Sequence, residues 1–153
     1  MRFCLIVVRI DLDNWKYWTT LFKSPRTRAT SAASIAISVP VAKAIPKEQV
    51  IYCPGVCTPS EAFSALALGA DLLKLFPAEV ITPQAVRALR SVLPTKTLLA
   101  PVGGITSSNI PEYIRAGAAA FGIGSSLYTP TTSLREIRKN ARALINAFLL
   151  SKR

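Results

Sequence analysis

From Val50 to the C-terminus the sequence alternates short apolar runs with amphipathic segments, one pair about every 21 to 26 residues. "VIYCPGV" precedes "TPSEAFSALALG", "DLLKLF" precedes "TPQAVRALRSVLP", and "TLLAPVGG" precedes "SSNIPEYIRAG". "AAFGIGSSLY" precedes a basic segment running from about Ser133 to Leu150. The short runs predict strands, because they are apolar at consecutive positions and are bounded by turn formers. The longer segments predict helices, and their ends carry capping chemistry. Thr58 and Thr82 stand where a side-chain oxygen accepts from the first turn, each followed by a proline at the first helical position. Glu61 completes a capping box with Thr58, while Gly69 and Gly117 suit the C-terminal stops. "ALGADLLKLF" and "IRAGAAAFGI" repeat one device, a helix end, Gly-Ala, then a strand.

Strands buried on both faces and joined by helices imply a parallel sheet. Small repeated β/α units predict a TIM (β/α)8 barrel, present here as about four units, the C-terminal half. A doubly wound sheet is the alternative, but no G-x-G-x-x-G opens a helix, and the glycines sit at the ends of the last two strands. The half barrel is expected over residues 46–153. Residues 1–45 form an atypical segment, with one strand at "FCLIVV" and then a stretch, "KSPRTRATSAASIAISVPVAKAIP", whose weak periodicity and prolines predict irregular structure foreign to the barrel. Half a barrel would leave two unpaired edge strands, so self-association into a homo-oligomer is expected.

Composition narrows the function classes. The chain has 153 residues, 50% of them hydrophobic, which is ample for a core. Its net charge of +11 points toward anionic partners. The excess is spread, however, with seven basic and two acidic side chains before residue 46 and twelve and six after it. No basic stripe interleaved with aromatics speaks for nucleic acid. No apolar stretch reaches the ~18 to 20 unbroken residues of a membrane helix. The N-terminus lacks the pattern of a cleavable signal, and the three cysteines, Cys4, Cys53 and Cys57, are an odd set, so a reducing cytoplasm is expected. "CPGVC" has no histidine or second cysteine pair to complete a tetrahedral site, and the thiols are read as structural, with no metal.

In a barrel, chemistry gathers at the C-terminal strand ends, and a phosphate site commonly forms after the last two strands. "PVGGIT" and "GIGSS" fall there. Gly103 and Gly104 let backbone amides approach an anion, and Gly124 with Ser125 offers another amide and a hydroxyl. The same glycines also serve as plain tight strand exits. Lys74, in the middle of "DLLKLFPAEV", has two readings as well. Facing inward it is desolvated, which lowers its pKa and leaves some amine neutral for imine formation. Facing outward, or paired with Glu79 or Asp71, it is structural.

"YCPGVCTPSEAFSALALGADLLKLFPAE" and "LLAPVGGITSSNIPEYIRAGAAAFGIGSSLY", with their spacing, resemble the C-terminal half of the 2-keto-3-deoxy-6-phosphogluconate/2-keto-3-deoxy-6-phosphogalactonate aldolase family over roughly residues 50 to 150. The resemblance implies a TIM barrel, usually trimeric, acting as a class I lyase without metal or organic cofactor. Such an enzyme cleaves a phosphorylated keto-deoxy sugar acid into pyruvate and glyceraldehyde 3-phosphate. It assigns Lys74 as the Schiff-base lysine, and Gly103 and Gly104, with Ser125, as phosphate-binding positions. It gives Val102 as a specificity position, where an aliphatic residue leans toward the 6-phosphogalactonate substrate.

The family takes a glutamate acid/base from its second strand and an arginine from its first. No matching glutamate is found: Asp11 and Asp13 are the only acids before Ile45, and Arg9 receives no role. Impaired activity is therefore expected of this polypeptide, with a non-catalytic sugar-phosphate-binding remnant as the alternative.

Overall fold

The computed structural model describes residues 5–7, 18–24, 27–33, 37–46 and 50–151, with side chains over 37–46 and 50–151. The strands are β1 (Leu5–Val7), β2 (Trp18–Ser24), β3 (Thr27–Ala33), β4 (Val50–Cys53), β5 (Gly55–Val56), β6 (Leu73–Leu75), β7 (Leu99–Pro101) and β8 (Phe121–Ile123). The helices are α1 (Val39–Ala44), α2 (Pro59–Ala67), α3 (Pro83–Val92), α4 (Ile110–Arg115) and α5 (Leu134–Leu150).

The predicted alternation after residue 50 is present unit by unit. β5, β6 and β7 pair in parallel, and an isolated bridge from Val102 to Gly122 continues the order to β8. β4 and β5 are one predicted strand divided at Pro54, which has no N–H to give the ladder. Pro54 still contributes its carbonyl, accepting from Lys74 N at 3.0 Å.

Two expectations are corrected. Both flanks of these strands are paired: β1 runs parallel to β8, and β3 runs parallel to β4, so the four β/α units do not end in bare edges. The stretch expected to be irregular carries β3 and α1, and β2 pairs antiparallel with β3. Hydrogen bonding to a neighbouring strand supplies what the Ser/Ala/Thr-rich sequence lacks in apolar pattern. Arg9, Asp11, Asp13 and Cys4 lie outside the described residues.

The helix ends follow the side-chain chemistry. Thr58 Oγ1 accepts from Glu61 N at 3.3 Å while Glu61 Oε2 accepts from Thr58 N at 2.8 Å, closing the expected capping box on α2. Ser133 and Glu136 build the same box on α5. Gly69 and Gly117 take φ of 84° and 103° just beyond α2 and α4, a conformation costly for any residue with a Cβ.

Leu73, Leu75, Leu99, Phe121 and Ile123 pack against Ala62, Ala65, Val86, Leu89, Tyr113 and Phe148 from the helices in one core cluster. Phe121 is fully buried and makes edge-on contacts with the Tyr113 and Phe148 rings, at centroid distances of 6.4 and 6.1 Å. A second cluster holds Cys53, Leu72, Ala100 and Ala120, all from strands or their edges. The helices thus cover one face of the sheet, and mostly small side chains line the other.

Candidate active site

Strand alternation decides where Lys74 points. Leu73 and Leu75 enter the helix-packed core, so the side chain between them projects from the opposite face. Its register neighbours are Gly55 on β5 and Ala100 on β7, both too small to fill the space beside a long side chain. Lys74 is only 7% exposed. Its Nζ lies 4.8 Å from the centre of the Phe76 ring, within cation–π range.

Burial holds the Lys74 pKa below the ordinary lysine value, because the ammonium loses hydration. Cys53 is the neighbour that pulls the other way, and only as a thiolate. Burial, and then the charge of Asp71, push that thiol up to about 12, so near neutral pH it is uncharged and does not help retain the lysine proton. The result is an amine able to reach its neutral, nucleophilic form.

The exits of β6 and β7 are laced together next to it. Val102 N donates to Leu75 O at 2.9 Å, and Ala78 N donates to Val102 O at 2.8 Å. Tyr113 Oη, from α4, donates to Ala78 O at 2.8 Å and lies 3.2 Å from Ile81 O, pinning the loop after β6 from the helix side. Gly103 and Gly104 then turn the chain with φ of 99° and 62°. Asn109 secures the far side of the turn: Nδ2 donates to Gly104 O at 2.9 Å, and Oδ1 accepts from Thr106 N at 2.9 Å. After β8, Gly124 O accepts from Leu127 N at 2.9 Å and Tyr128 N at 3.2 Å, forming a tight turn in which Ser125 is exposed. Ser126 Oγ in that turn is buried and has no hydrogen-bond partner among the described residues. The glycine turns after β7 and β8 therefore open on neighbouring strand ends, with the Lys74 strand alongside.

Val102 is half-buried and stacks on Gly122, where a Cβ would collide with its γ-methyls. Among the described residues no group of His, Cys, Asp or Glu is arranged to hold a metal ion, and no helix is long and apolar enough to cross a membrane. Cys53 is buried and Cys57 exposed, both as free thiols.

A family model described as KDPG and KHG aldolase matches residues 24–145. The chain belongs to the KDPG and KHG aldolase family. The match starts at residue 24, so it includes the β3–α1 stretch that the sequence alone set apart. This aldolase-family chain is 43% identical over 99 residues to a probable 2-dehydro-3-deoxy-6-phosphogalactonate aldolase of Rhizobium meliloti (strain 1021), covering 65% of this chain and 47% of that one. It is 42% identical over 96 residues to the 2-dehydro-3-deoxy-6-phosphogalactonate aldolase of Escherichia coli (strain K12), covering 63% and 47%. A solved native KDPGal structure superposes with a TM-score of 0.76 at 34% identity, covering 80% of this chain and 59% of that one. The chain thus spans about half the length of the curated relatives it matches.

Sequence reasoning missed three features of the geometry around these strand ends. Glu79 was weighed only as a partner for Lys74, yet its carboxylate lies against Gly103 and Gly104. The Tyr113 pin reads in sequence as one more apolar helix position. The Val102–Gly122 contact had a signal, a glycine inside the strand "FGI", which marks close approach of a neighbour.

Proposed function

We propose that this chain carries the Schiff-base half of a 2-dehydro-3-deoxy-6-phosphogalactonate aldolase, a class I lyase releasing pyruvate and glyceraldehyde 3-phosphate. In this reading the sheet is part of a (β/α)8 barrel, with residues 46–153 as its C-terminal units and the β3–α1 stretch leading into them. Neutral Lys74 Nζ adds to the C2 ketone, and loss of water gives an iminium. The C4 hydroxyl gives up its proton to water, the C3–C4 bond breaks, and its electron pair flows into the iminium as glyceraldehyde 3-phosphate departs. The enamine left behind takes a proton at C3, and water releases pyruvate from the lysine. Gly103, Gly104, Gly124 and Ser125 hold the 6-phosphate, and Val102 favours the galactonate isomer. No metal or organic cofactor is used, and a cytoplasmic homo-oligomer goes with this assignment.

The observation that carries the proposal is Lys74, buried on the small-residue face with its pKa lowered by desolvation, beside two glycine turns. No glutamate of this chain is assigned to the C4 proton, and a positioned acid/base typically supplies about 10²- to 10⁴-fold. Turnover by this polypeptide alone is expected to be slow by that order. The half-length match to the relatives supports a second reading, a sugar-phosphate-binding protein without catalysis. The test is pyruvate release from 2-dehydro-3-deoxy-6-phosphogalactonate, coupled to lactate dehydrogenase. Slow release that disappears in Lys74→Met supports the lyase. Binding without release, in both proteins alike, supports the second reading.

A further inference from the structure

We propose that Glu79 is a built-in occupant of the anion seat, its carboxylate covering the Gly103–Gly104 turn until a phosphate-bearing ligand displaces it. This rests on the assignment of that turn as a phosphate site. A Cβ placed on Gly103 would stand 2.6 Å from Glu79 Oε2, and one on Gly104 would stand 2.9 Å from Oε1 and 3.0 Å from Cδ and Cγ. One carboxylate therefore spans both glycines, filling the room that their missing side chains leave.

The backbone carrying Glu79 cannot retreat. Ala78 N is tied to Val102 O, Ile81 N to Pro77 O at 3.0 Å, and Tyr113 Oη to Ala78 O. The side chain itself is exposed and rotates about three single bonds, so clearing the turn needs a rotamer change toward solvent rather than loop opening. A phosphate arriving at the turn meets a like charge at contact distance and must displace it. Moving the carboxylate off the turn costs free energy that any bound phosphate must offset, so Glu79 sets how tightly the phosphorylated end of the substrate is held.

Inorganic phosphate binding is measured by titration calorimetry on the wild-type chain, Glu79→Gln and Glu79→Ala. Circular dichroism checks folding, which an exposed position should not disturb. At an exposed site, loss of one like charge at contact is worth roughly three- to tenfold in Kd. Both variants are therefore expected to bind phosphate more tightly by that factor. Unchanged or weaker binding in both overturns the inference. Absence of phosphate binding in all three proteins overturns both the inference and the phosphate seat. Borohydride trapping of pyruvate on the wild-type chain reads the lysine chemistry separately. Tighter phosphate without trapping upholds the role of Glu79 and removes the lyase, whereas trapping with unchanged phosphate binding removes only Glu79.

Discussion

Replacing Gly122 by alanine tests the packing that sets the Val102 side chain. Gly122 is buried in the middle of β8 and does not have a positive φ, so its backbone accepts alanine without strain. The obstacle is one neighbour. A Cβ there overlaps Val102 Cγ2 and would lie 2.8 Å from Cγ1 and 3.0 Å from the Val102 Cβ. Overpacking of this kind costs about 1–3 kcal/mol. Val102→Ala alone removes two methyls from a half-buried side chain, worth about 1 kcal/mol. In the double variant both clashing methyls are gone, and only the contact between the two Cβ atoms remains tight. The double variant should therefore be less destabilised than the sum of the single changes by at least about 1 kcal/mol. Urea unfolding followed by circular dichroism gives the four midpoints of the cycle. On heating, each kcal/mol should appear as a shift of about 2–4 °C in Tm for a chain of this size. Additivity within about 0.5 kcal/mol would refute the claim that Gly122 is small because Val102 rests on it.

Lys74→Met should raise the unfolding midpoint at pH 7, since it removes a buried cation and keeps an apolar stem. The folded-state lysine pKa lies below 10.5, so over the interval up to 10.5 the unfolded chain binds more protons and wild-type stability rises with pH. The advantage of Met should accordingly shrink as pH approaches 10.5, as a series of thermal melts would show. Tyr113→Phe deletes the hydroxyl that pins the loop at Ala78 and Ile81, and should cost about 1–2 kcal/mol by denaturant titration while loosening the Gly103 turn to hydrogen exchange. Ser133→Ala breaks the capping box of α5 and should cost about 1 kcal/mol, read as lost helicity at intermediate temperature.

The β/α units from Val50 onward were legible because two independent signals agreed. Apolar runs marked β6 to β8, and caps such as Thr58–Glu61 and stops such as Gly69 marked the helices between them. Lys74 was legible as unusual, but its direction was not. That depended on which of Leu73 and Lys74 faces the helices, and period-two alternation is silent when every residue of a run is buried. Of the strands ahead of α1, β1 was legible in "FCLIVV", but β2 and β3 were not. β3 is held by pairing with β4, and a Ser/Ala/Thr-rich strand carries little apolar pattern of its own. The contacts around Gly103 and Gly104 were hidden for another reason: Glu79 reaches that turn from the loop after β6 and Asn109 from the start of α4, while Tyr113 of α4 pins the loop that carries Glu79.

The central claim is that the Lys74 amine forms an imine with a 2-keto acid. Incubating the chain with pyruvate, reducing with borohydride and mapping the product by mass spectrometry tests it directly. The account predicts a single reduced pyruvate on the peptide containing Lys74, and none on that peptide in Lys74→Met. An unmodified chain, or adducts scattered over surface lysines with position 74 untouched, would contradict it.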